Sequence, residues 1–181
     1  MKKYFLALFF LIGILQISFS QDKKSDAQAT NKVKDIRDSV GIILSMPESK
    51  DKAKYLSRLG DIYRFSNADS AIFYFSLSEK VALKLNYEEF LPAIHKDLSF
   101  VYSRLKSNYS RSLYYAILSK KDHEAIGIFD PSDDFIIMQE YAYMGSKTKV
   151  EKLLEIIKPV VISGNFKANT LSQGTLLGLI G

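Results

Sequence analysis

The chain has only two histidines, and these are the side chains with the widest chemical range. His95 follows "LPAI" and could serve as a general base, a role that needs a free ring nitrogen near neutral pH. No Ser or Cys nucleophile motif accompanies it, so a histidine hydrogen-bonded between packed repeats is the plainer expectation. His123 stands in "KKDHEA" between Asp122 and Glu124. Consecutive helical residues point in different directions, whereas a metal site wants ligands three or four apart. "DPSDD" (Asp130 to Asp134) carries acids, but a calcium loop alternates its acids, turns at a Gly and ends on a distant Glu. Here a Pro interrupts and the Gly is missing, which suits a helix cap better. "NYS" (Asn108 to Ser110) matches a glycosylation sequon only as a short motif, and the glycines are too scattered for a phosphate loop or dinucleotide fingerprint. Cys is absent, which removes disulfides, thiolate nucleophiles and Cys-based metal sites. These residues lead us to expect a non-catalytic protein with no cofactor and no metal.

Composition allows a large core. Of 181 residues, 47% are hydrophobic and 25% charged, with 11 Tyr and 12 Phe but no Trp. Lys and Arg number 25 against 20 Asp and Glu, a formal charge of +5. The N-terminus "MKKYFLALFFLIGILQISFSQ" has a basic start, an apolar run from Phe5 to Leu15 and small residues at Ser18 and Ser20. That is the layout of a secretory signal peptide cut after Ser20, and the run is shorter than the roughly 20 residues of a comfortable membrane span. Retention as an uncleaved anchor is the alternative. No Cys follows for lipid attachment. Cleavage removes Lys2 and Lys3, so the expected mature chain is only weakly basic, and nucleic acid is not an expected partner. Residues 21–31 ("QDKKSDAQATN") read as a flexible polar leader.

The remaining elements read as helices, with no strand alternation. Val33 to Ser45 has helical amphipathicity and stops at Pro47, giving an N-terminal helix within 32–46. Beyond it the sequence repeats. Leu59, Ile62 and Tyr63 recur 39 residues later as Leu98, Val101 and Tyr102. After the turn the offset is 41, pairing Ala71 with Ser112, Ile72 with Leu113, Phe73 with Tyr114, Tyr74 with Tyr115 and Ser78 with Ser119. A third copy keeps Ile137 and Tyr141, then "GSKT" and "KVEKLLEIIK". Each copy is two helices, with Asn67 or Asp69 offered as the cap of the second helix in the first copy. The repeats cover 47–163, in copies of about 49–86, 88–123 and 132–158; 164–181 is a tail or the start of a truncated fourth copy.

Leu59-Gly60, Tyr63, Ala71, Phe75 and Ser78 resemble the tetratricopeptide repeat (TPR) family. The second copy keeps Leu98, Tyr102, Ser112 and Ser119, with Ser99 at the Gly position and Ala116 at the ring position. The third keeps Tyr141 but has Val150 and Leu154 where small and aromatic residues belong, and the usual Pro ending the second helix is missing. The spacing exceeds the family's 34 residues. In this it is similar to sensor regions of exported or membrane-bound bacterial signalling proteins, such as histidine kinases and helix-turn-helix regulators. The resemblance implies an all-α fold of antiparallel helix hairpins stacked as a right-handed superhelix, an α-solenoid. It also implies ligand contacts from the groove face of each first helix: Lys54, Ser57, Asp61, Arg64 and Phe65, then Lys96, Phe100, Ser103 and Arg104, then Phe135, Gln139 and Tyr143. Cations with interleaved rings there would suit an acidic peptide or a C-terminal carboxylate. The expected function is an exported scaffold, periplasmic or extracellular, that binds a protein or peptide. The alternative is the N-terminal sensor region of a longer membrane-bound kinase or regulator.

Overall fold

The computed structural model describes residues 39–162, apart from the side chain of Val161, and divides the chain into two compact units, Met1–Leu44 and Ser45–Gly181. The expected signal peptide, the leader, residues 33–38 of the N-terminal helix and the tail after Ile162 lie outside the described residues. Helix α1 (Val40–Ser45) is the described remainder of the helix expected from Val33. The second unit holds six helices among its described residues: α2 (Lys50–Tyr63), α3 (Ala68–Lys84), α4 (Leu91–Arg104), α5 (Tyr109–Ala125), α6 (Pro131–Tyr143) and α7 (Lys147–Ile162). No strand occurs among the described residues, so the fold is all-α.

Four of the helices begin where a side chain takes up a free amide. Ser49 accepts from the Lys52 amide, Asn67 from that of Ser70, Asn108 from that of Arg111 and Asp130 from that of Ser132. Asn67, and not Asp69, is therefore the cap of α3, and Asp69 sits in its first turn. Asp130 caps α6 ahead of Pro131, which agrees with reading "DPSDD" as a helix start. Helices end on left-handed residues: Gly127 (φ 74) beyond α5 and Gly145 (φ 71) beyond α6, positions where a side chain would be strained. The second copy was expected to be helical from Glu88. A 3₁₀ turn occupies Glu88–Phe90 instead, and α4 starts at Leu91, with Pro92 in its first turn.

Short turns make consecutive helices antiparallel neighbours, and each packs on the next from α2 through to α7. The buried stripe of α2 is Ala53, Leu56, Leu59 and Gly60; that of α3 is Ala71, Phe75, Ser78, Val81 and Ala82. Both follow three-and-four spacing. A Cβ placed on Gly60 would lie 2.6 Å from the Phe75 ring, so the glycine lets that ring rest on the α2 backbone. The repeat register is visible in hydrogen bonds. Ser78 donates to the Ala53 carbonyl (2.7 Å), and its counterpart Ser119 donates to the Pro92 carbonyl (3.1 Å). Ala53 and Pro92 are themselves the 39-residue counterparts. One apolar cluster joins α3, α4 and α5 through Phe75, Leu91, Ile94, Leu98, Val101 and Tyr115. A second lies between α6 and α7, built on Phe135, Met138 and Ile157 with Val150 and Leu154 beside them. Phe135 was expected on the groove face. It is 4% exposed, because the apolar side of α7 draws that edge of α6 inward.

Candidate functional site

Residues from three first helices meet in one cleft. Of the side chains expected on the groove face, Arg64 from α2, Lys96, Phe100, Ser103 and Arg104 from α4, and Gln139 from α6 line a space of about 180 Å³. The structure adds Asp97 and Ser99 from α4, and Ile136 and Glu140 from α6. Lys54, Ser57, Asp61, Phe65 and Tyr143 do not line it. Two of these support its edge: Asp61 holds Arg64 at 3.0 Å, and the Tyr143 hydroxyl accepts from Arg104 at 2.9 Å. Phe65 is largely exposed and meets Phe100 edge-on, with the Arg64 guanidinium over both rings. Lys54 lies elsewhere, 4.0 Å from Asp51.

Most of the cleft's cations are already paired. Arg64 bridges Asp61 and Asp97 (3.1 Å), and Lys96 reaches Asp130 (2.9 Å) and Asp133 (3.5 Å). What the cleft lacks is partners for its polar floor. Among the described residues, three buried side-chain atoms have no hydrogen-bond partner: Arg64 Nε, Ser103 Oγ and Glu140 Oε2. All three residues line this cleft. A buried polar group left without a partner costs on the order of 1–3 kcal/mol, so three in one place need a reason. Burial pushes the Glu140 carboxyl up, against the opposing pull of the Ser103 and Ser112 hydroxyls and of Arg104. The Ser103 hydroxyl is thus close enough to influence Glu140, yet the two make no hydrogen bond of ordinary geometry. Burial also raises Asp97 to about 6, although Arg64 pulls it down.

Glu140 was not foreseen, but a signal for it existed. It stands 39 residues beyond Val101, which is itself the counterpart of Ile62, so an acid occupies a position that is apolar in the other two copies. Asp97 gave no such signal, because its pairing with Arg64 joins two repeats.

The histidines are structural ties. His95 is buried, with Nδ1 2.5 Å from Asp122 and Nε2 3.0 Å from Glu79. Burial pulls its pKa down, but the Glu79 hydrogen bond and the Asp122 charge outweigh it, and the net shift is upward. A ring donating from both nitrogens is an imidazolium and has no lone pair with which to take a proton, which argues against the general-base role. His123 bonds Asp133 at 2.6 Å, and Ser119 bonds the same carboxylate at 3.0 Å. His123, Asp130 and Asp133 offer ligand atoms all within 4.8 Å of one another. The Lys96 ammonium bridges both acids, so this cluster is an ion-pair network joining the second and third copies.

A more open depression of about 440 Å³ lies over Asn108, Ser110, Arg111 and Tyr114. It contains none of the unpartnered buried atoms and is the weaker candidate. No helix among the described residues is long and apolar enough to cross a membrane. No protein-family model matches this chain, and neither does any curated protein or solved structure.

Proposed function

We propose that this chain is an exported, TPR-like scaffold that binds a segment of another protein in the cleft between its first helices, without chemistry of its own. In this reading α2 to α7 form three hairpins of a right-handed superhelix, and α2, α4 and α6 face the groove. The observation that carries it is that Arg64, Ser103 and Glu140, each with a buried side-chain atom that makes no hydrogen bond, all line one concavity. Stacked hairpins present such a surface as a consequence of their curvature. At about 180 Å³ the cleft is smaller than the roughly 300–1,000 Å³ of a cofactor or drug-sized pocket, and suits one side chain or chain end of a larger partner.

A photo-crosslinking residue at Gln139, compared with one at exposed Lys121 on α5, tests this in the native host. Capture of a protein from Gln139 alone supports the proposal; equal capture at both positions, or none, overturns it. Export has its own test. Protein recovered from cells should begin at Gln21, and a chain that still carries Met1 in the soluble envelope fraction would argue against cleavage.

A further inference from the structure

We propose that the floor of the cleft is built for a cation: a lysine-like ammonium of the partner, seated on Glu140 and Ser103 with Asp97 nearby. This rests on the peptide-binding reading and reverses the charge expected of the partner from the cations on the groove face.

The cations that suggested an acidic partner are largely satisfied within the protein. Arg64 is held by Asp61 and Asp97, and Lys96 by Asp130 and Asp133. The remaining cation, Arg104, is exposed at the rim and donates to Tyr143. The carboxyl that lacks a partner is at the floor. Glu140, 3% exposed, lines the cleft, and its Oε2 makes no hydrogen bond of ordinary geometry, although the Ser103 and Ser112 hydroxyls lie near enough to pull on the carboxyl. Ser103, 6% exposed, adds an unpartnered hydroxyl that can accept. An anion entering here would face the Glu140 carboxyl, which has no cation in contact with it among the described residues, whereas Asp97 is already paired with Arg64. An ammonium would supply donors to Glu140 Oε2 and Ser103 Oγ through charge-assisted bonds, while Arg64 Nε, itself a donor, needs an acceptor such as a backbone carbonyl of the partner. The volume fits the end of one long side chain. The Gln139 side-chain oxygen can take a further donor, and the apolar stem of such a side chain can lie along Phe100 and Ile136. Phe65 and Phe100, with Arg64 over them, make an apolar shelf for a neighbouring residue of the partner. Burial holds the Glu140 carboxyl above its ordinary range, and an arriving cation would oppose that shift by favouring the ionised form.

The test uses the full chain and capped pentapeptides with a central Phe-Lys, Phe-Gln or Phe-Glu pair, followed by titration calorimetry and by shifts of the Gln139 side-chain amide. The lysine peptide should bind about tenfold or more tightly than the glutamate peptide, the worth of one charge-assisted bond. Glu140→Gln should erase that preference while leaving the helical circular dichroism unchanged. Ser103→Ala should reduce lysine-peptide binding less than Glu140→Gln does. Tighter binding of the glutamate peptide, lost in Arg104→Ala, would overturn the cation proposal and leave the peptide-binding reading standing. Millimolar lysine and glutamate peptides that both leave the Gln139 signal unmoved would overturn both. A lysine preference that survives Glu140→Gln would place the cation elsewhere and defeat the assignment.

Discussion

In the α2–α3 hairpin two helices come close because the Phe75 ring rests on Gly60; in the α4–α5 hairpin hydroxyls occupy the corresponding space. Ser99 replaces Gly60 and Ala116 replaces Phe75, so the volume added on one helix is removed from the other. Ser112, where the first copy has Ala71, then bonds both the Ser99 hydroxyl and the Ser99 carbonyl at 2.9 Å. The register survives, as the paired bonds of Ser78 and Ser119 show, but the adhesive changes from apolar burial to hydrogen bonding. The difference has a place in the fold. Ser99 also lines the cleft, so the copy that gives up its ring puts a polar interior beside the polar floor.

Three experiments would break or sharpen this contrast. The largest effect is expected in the first hairpin. Phe75→Ala should cost about 3–5 kcal/mol in urea unfolding, from lost burial and the cavity left behind. Gly60→Ser alone should cost about 1–3 kcal/mol by crowding the ring. The double variant reproduces the second hairpin's pair, and should lose less than the sum of the singles. Strict additivity would mean that ring and glycine are not one device.

Next is the buried imidazolium. His95→Gln leaves Glu79 and Asp122 without their cation and should cost about 2–3 kcal/mol near pH 6. Because the folded pKa of His95 is raised, its contribution is fully present below the ordinary histidine value of about 6.5 and is lost as pH rises through the folded value. The urea midpoint of the parent should therefore fall on the alkaline side, and His95→Gln should remove that step. A step of unchanged size in the variant would assign it to another group. Smallest is Ser112→Ala, at about 1 kcal/mol, since it removes hydrogen bonds and little volume. A loss as large as that of Phe75→Ala would show that the hydroxyl pair carries more of the second hairpin than its area suggests.

The repeat was legible because its signature is local. Spacing places Leu59 with Leu98 and Ser78 with Ser119, and the helix ends fall near the expected caps. The cleft was legible on one side only. Lys96 and Arg104 read as free cations because their partners come from other parts of the chain, Asp130 and Asp133 for Lys96 and Tyr143 for Arg104, and Arg64 adds to its neighbour Asp61 a second partner, Asp97, from another helix. Helical spacing is silent on such pairing. Phe135 was misplaced for a related reason. The 39-residue register sets it beside Lys96, but α7 packs against α6 through Ile157 and turns that position into core. Glu140 was legible in principle, as an acid at a position that is apolar in the other two copies.

The imidazolium of His95 belongs to three helices at once, since its two acids come from α3 and α5. Neighbouring helical elements can open separately. Here the α2–α3 and α4–α5 hairpins share a histidine that neither can release without stranding a carboxylate. The two hairpins are therefore expected to open together, whereas α7 is held to α6 by the separate Phe135 cluster. The walls that Arg64 and α4 give the cleft would then be among the last parts of the molecule to open.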